Sequence, residues 1–151
     1  MQIEPGLFTK LQAEYFSRYG AVGVSLSEYR EIVAKDLEDL LNTKKRPNNW
    51  GGVGFVYLEK SVWSFGVSDF SGFYFGSVLD LDEVCRRVRI AVETHEPRLR
   101  GVEVTIAETS RSVGGLGLTI AAVLTGQGVS EDVQFSAFLD IVNKKYAVAA
   151  A

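Results

Sequence analysis

The chain has 151 residues but only one cysteine, one histidine, one methionine and three prolines, and each shortage removes a class of protein. Cys85 has no partner for an internal disulfide, which fits a reducing compartment. It sits in a helical pattern, where a free cysteine acts as a small buried hydrophobe rather than a reactive thiol. His95, equally alone, excludes a multi-histidine metal site, and zinc would need an odd ligand set. No apolar run approaches the ~18 residues of a membrane-crossing helix. The opening residues carry Glu4, Lys10, Glu14 and Arg18, so no secretory apolar core is present there. Charge of one sign is also scarce. A formal net charge of -3 gives no reason to expect nucleic acid or an acidic membrane as partner. A cytoplasmic protein without direct membrane insertion is the expectation.

What remains is ordinary in amount and informative in order. With 46% apolar and 23% charged residues, the chain is a soluble domain long enough to bury a core. Phe8, Leu11, Tyr15 and Tyr19 share one helical face, so the N-terminal segment 1–24 reads as a short helix, packed on the domain or ordered by a partner. The main domain, residues 25–149, begins with a capping box of Ser25 and Glu28, with Val24 placed to staple over Tyr29. Tyr29, Val33, Leu37, Leu40 and Leu41 form the stripe of a helix to about Thr43. Lys44, Lys45 and Arg46 complement its C-terminal dipole, and Pro47 stops it.

Residues 47–79 alternate glycine with aromatics, including Trp63, Phe65, Phe70, Phe73 and Tyr74. These either fold back over the core or present a sticky face to another protein. Asp80 and Glu83 have capping-box spacing for a second helix, with Leu81, Val84, Val88 and Ala91 on one face, running to about Thr94. Three alternating stretches follow: Val102–Ile106, Leu116–Leu124, and one containing Val133, Phe135 and Ala137. Residues 131–142 also fit a helical period; we read strand, then a turn at Asn143-Lys144 and a closing strand at Tyr146–Val148. The expected fold is α+β, a single domain with two main helices packed on a C-terminal antiparallel sheet.

Catalytic signatures are missing. Gly51-Gly52-Val53-Gly54 and Gly114-Gly115-Leu116-Gly117 complete neither a dinucleotide fingerprint nor a phosphate loop. No serine lies in a nucleophile elbow. His95 is placed by a helix C-terminal dipole rather than by general-base chemistry. A carboxylate pair such as Glu96 with Asp69 or Glu103 would suit a glycosidase, but with so many acids any two can be nominated. No catalytic residue, metal site or cofactor is assigned.

One placement is anomalous. Pro97 ends the second helix, which puts Glu96 at its C-terminus, where a carboxylate opposes the macrodipole at a cost of about 0.3–1 kcal/mol. Arg98 can answer it locally, or a group on another chain can. Glu96-Pro97-Arg98-Leu99, together with Asp36-Leu37-Glu38-Asp39-Leu40-Leu41-Asn42-Thr43, the segment Ser61–Gly72 and Val133–Asp140, resembles the TssE family. These are baseplate proteins of the bacterial type VI secretion system, similar to a wedge protein of contractile phage tails once labelled a lysozyme. Where the family tends to read Tyr-Gly-Leu-Pro-Asp-Phe, this chain has Phe65-Gly66-Val67-Ser68-Asp69-Phe70, without the proline.

The resemblance implies a structural, non-enzymatic subunit, working in the cytoplasm in a baseplate docked at the inner membrane. Its implied partners are wedge proteins of TssF, TssG and TssK type and the subunits of the contractile sheath, which begins to polymerise on a sheath-like sheet. It also implies that Glu96, Pro97 and Arg98, with Phe65, Gly66, Asp69 and Phe70, bind partners. The readings from other classes are a peptidoglycan hydrolase using Glu96 as general acid, and a freestanding adaptor that binds peptides by strand addition.

Overall fold

A computed structural model describes residues 25–47, 61–70, 72–74, 77–107, 114–126 and 129–151. The expected N-terminal helix, the Val24 staple and most of the glycine-aromatic stretch before Ser61 lie outside these residues.

Helix α1 spans Leu26–Asn42. The capping box is reciprocal: Ser25 Oγ accepts from the Glu28 N–H at 3.3 Å, and Glu28 Oε2 accepts from the Ser25 N–H at 2.8 Å. Tyr29, Val33, Ala34, Leu37, Leu40 and Leu41 are buried along one face, as the period required. The basic triplet does something different from capping. No basic residue lies in the last turn of α1; the triplet follows the helix and holds a distant segment, described below.

Helix α2 spans Val78–His95, so it starts earlier than the Asp80–Glu83 spacing predicts. Ser77 is the N-cap and makes no side-chain capping bond. Asp80 Oδ2 instead accepts from the Tyr74 N–H at 3.0 Å. Glu83 is taken by arginines: it accepts from Arg86 Nε at 2.6 Å and from Arg87 Nε at 2.8 Å. Those bonds, Arg86 first, hold its carboxyl down to about 2. Two guanidiniums one turn away outcompeted the capping role.

The sheet is a four-stranded antiparallel meander in chain order, β1 (Leu99–Ile106), β2 (Gly115–Gly126), β3 (Val129–Asp140) and β4 (Lys145–Ala150). The ambiguous 131–142 stretch is strand. β1 starts before the alternating run because of a bulge. The register advances from Arg100↔Val123 to Glu103↔Ala121, so two residues of β1 oppose one of β2. Gly101, at φ +60°, supplies the left-handed conformation such a bulge needs. Leu99 and Val102 therefore both face inward and are buried, although an unbroken alternation would put them on opposite faces.

Both helices lie on one face of the sheet. α1 packs beside β4 and α2 beside β1. Between the layers, Leu118, Ile120, Leu124 and Phe135 of the sheet meet Val33 and Leu37 of α1 and Val84, Val88 and Val92 of α2, all fully buried. Each such side chain contributes about 1.5–3 kcal/mol of transfer free energy.

Candidate functional site

The exit of α2 is built around Arg98. Glu96 is the C-cap, its N–H donating to Val92 O at 2.8 Å. Its side chain is 8% exposed and turns back onto Arg98. Arg98 Nε donates to Glu96 Oε1 at 2.6 Å, and Nη2 donates both to Glu96 Oε2 and to Asp36 Oδ2, each at 2.5 Å. The guanidinium also lies 5.8 Å from the ring centre of Tyr29. Burial alone would lower the pKa of Arg98, but the bonds from Glu96 and Asp36 hold it above the ordinary arginine value. Asp36 moves up, because burial outweighs its bond to Arg98. The backbone is tied as well: Arg98 O accepts from the Thr125 N–H at 2.7 Å.

The local answer to the Glu96 anomaly is thus present, and it is larger than a surface pair. One cation joins α1, the end of α2, and the start of β1, which is bonded to the end of β2. Pro97, between the two, is exposed. Sequence reasoning missed Asp36. The usable signal was its position beside Leu37, seven residues after Tyr29, at the edge of the buried stripe.

The second group of expected site residues forms a strap across the helices. Gly66 (φ +110°) places its Cα so that a Cβ would come 2.3 Å from Thr43 O. That close approach permits a parallel bridge in which the Val67 N–H donates to Thr43 O and the Lys45 N–H donates to Val67 O, both at 2.9 Å. Val67 is buried, with Phe65, Phe70 and Phe73 packed at the margin of the core. Lys44 Nζ lies 3.6 Å from Asp69 Oδ2, and the guanidinium of Arg87 lies over Phe73. His95 fastens the other end. Its Nε2 is 3.0 Å from Ser64 O, and since a carbonyl only accepts, that nitrogen carries the proton. Burial, with Lys45 nearby, lowers the pKa of His95; the ring is a neutral tether, edge-on to Phe65, and not only a dipole partner. The described part of the aromatic stretch divides between the core margin and the surface. Phe65, Phe70 and Phe73 fold back, whereas Trp63 is 61% and Tyr74 74% exposed.

A third arrangement concerns the sheet edges. Asn42 Nδ2 donates to Tyr146 O at 2.9 Å and its Oδ1 accepts from the Tyr146 N–H at 2.8 Å. Glu38 Oε2 accepts from the Val148 N–H at 2.9 Å. The outward backbone groups at the start of β4 are thereby closed by α1. β1 differs. Arg98 O and the Ala107 N–H bond to β2, so by the antiparallel alternation Val104 and Ile106 turn their backbone groups away from it. Among the described residues nothing bonds to those outward groups.

With this geometry in place, the chain can be compared with known proteins. A family model described as baseplate wedge protein gp25 matches residues 27–129, from the first turn of α1 to the first residue of β3. The chain belongs to that family, the one that includes TssE. The gp25-type match spans the Arg98 cluster, the strap and β1, and it makes the chain a structural baseplate protein. No curated protein and no solved structure matches it. Among the described residues no group of three or more potential metal ligands occurs, and no helix is long and apolar enough to cross a membrane.

Proposed function

We propose that this gp25-family chain is a subunit of a type VI secretion baseplate that joins wedge proteins of TssF, TssG and TssK type and starts the contractile sheath on its sheet, in the cytoplasm at the inner membrane. The observation that carries this reading is the family match over residues 27–129. Two features support it. The Glu96–Arg98 turn presents Pro97 on a base stiffened by a partly buried ion cluster, a preorganised docking point. The strap that carries Phe65, Gly66, Asp69 and Phe70 is bonded to the end of α1 and to His95 of α2, which suits the same use. For the sheath, the outward row of β1 has donors and acceptors that no described residue takes, which suits strand addition, while the beginning of β4 is closed.

The hydrolase reading gains nothing from this geometry. A general acid must face its substrate, whereas Glu96 is buried with both oxygens on Arg98. A freestanding adaptor would use the same β1 edge but need no wedge proteins. The deciding experiment is co-purification of the full chain with TssF- and TssG-type proteins, wild type against Pro97→Glu. The wild type is expected to bind, and the variant to bind less with unchanged circular dichroism. Absence of wild-type binding would overturn the proposal.

A further inference from the structure

The strap and α2 enclose a cleft of about 470 Å³ whose lining includes Lys45, Ser68, Arg86, Arg87, Ile90 and His95 and, among the described residues, no aspartate or glutamate. Its charge is unbalanced. Arg86 and Arg87 share the single carboxylate of Glu83, which is not part of the lining. The rim continues through Arg46, whose guanidinium stacks on Trp63 at 5.4 Å. Lys45, Arg86 and Arg87 thus line one cleft of a chain whose net charge is -3. Burial keeps His95 neutral at neutral pH, so the cleft's charge is carried by the lysine and the arginines.

Apolar surface accompanies the charge. Val62 is 90%, Trp63 61% and Ile90 42% exposed. Ile90 forms one wall of the cleft, and the other two adjoin Ser64, whose carbonyl His95 holds. Clustered cations alone would suit any polyanion. Cations beside exposed aliphatic and aromatic side chains fit an acidic protein segment, which brings carboxylates for the arginines and apolar side chains for Ile90 and Trp63.

We infer that this cleft is a docking site for an acidic segment of a wedge protein, separate from the Glu96–Arg98 turn. The inference rests on the baseplate reading above and names the chemistry of the contact. Glu83 already holds Arg86 through Nε and Nη2 and Arg87 through Nε, so the two guanidiniums offer their remaining N–H groups to carboxylates of the segment, Lys45 adds a point charge from the opposite wall, and Trp63 covers the apolar rim.

The test measures affinity of the full chain for TssF- and TssG-type proteins at rising salt, for wild type, Lys45→Glu, Ile90→Asp and Arg100→Glu. Lys45 joins the strap through its backbone N–H, so changing its side chain leaves the bridge to Val67 in place. Lys45→Glu and Ile90→Asp are expected to weaken binding about tenfold or more and Lys45→Glu to flatten its salt dependence, whereas Arg100→Glu, on the exposed side of β1, leaves it unchanged. Wild-type affinity retained by Lys45→Glu and Ile90→Asp would overturn the cleft assignment alone. No binding by the wild type would overturn the baseplate reading and this inference with it. Binding of short duplex DNA, lost in Lys45→Glu, would replace the protein segment by nucleic acid.

Discussion

Arg98 shows how one residue comes to depend on three parts of a chain. Its guanidinium satisfies a carboxylate buried at the unfavourable end of a helix and a second one on another helix. Removing it leaves Glu96 buried and unpaired, and breaking such a pair is more costly than the pair's net worth. Arg98→Ala is expected to lower unfolding stability by about 3 kcal/mol in urea titration. Truncating Glu96 as well should recover part of that loss, because the uncompensated charge is then gone, giving a coupling of about 1–3 kcal/mol in the double-mutant cycle. Additive losses would mean that the cluster acts through packing alone. Pro97 contributes differently: it is exposed and has no N–H to donate, and the proposed function makes it a contact surface.

Among the elements, the strap is the least regular and the most specifically attached. Gly66 is its hinge point, since both its φ of +110° and the 2.3 Å approach to Thr43 O exclude a side chain. Gly66→Ala should cost about 2 kcal/mol or more from strain and from loss of the bridge to α1. Hydrogen exchange would locate the damage: the Val67 and Lys45 amides should lose protection while β2 and β3 keep theirs. Uniform loss across the sheet would contradict a separately attached strap. The same segment forms the floor of the basic cleft, so its attachment also sets the geometry of that site.

At the scale of the whole molecule, the meander has two edges with unequal fates. α1 closes the start of β4 through Asn42 and Glu38. At β1 the bulge at Gly101 interrupts the first half, a common device against unwanted pairing, and the regular stretch Glu103–Ile106 follows. Proline at an outward-facing edge position removes a donor without breaking the strand's own ladder. Val104→Pro is therefore expected to fold, at a cost of about 1 kcal/mol, to retain wedge binding, and to lose seeding of sheath polymerisation in an assembly assay. Unchanged seeding by this variant would exclude strand addition at β1.

Helix α1, the end of α2, the strand character of three later stretches and the sheet's apolar face were all legible in order and period alone. So was the tension at Glu96, because a carboxylate beside a helix-ending proline is a local fact. These features follow from short-range causes: capping geometry, 3.6- and 2-residue periodicity, and the missing N–H of proline. The structure decided what depends on distant neighbours. Asp36 meets Arg98 across 62 residues and Asn42 meets Tyr146 across 104, separations that no local period encodes. The start of α2 moved because Glu83 found two arginines. The basic triplet ceased to be a helix cap because a strap arrived beside it. Which charges are paired, which edge is closed and where positive charge gathers are consequences of packing, and on those the contacts of a baseplate subunit depend.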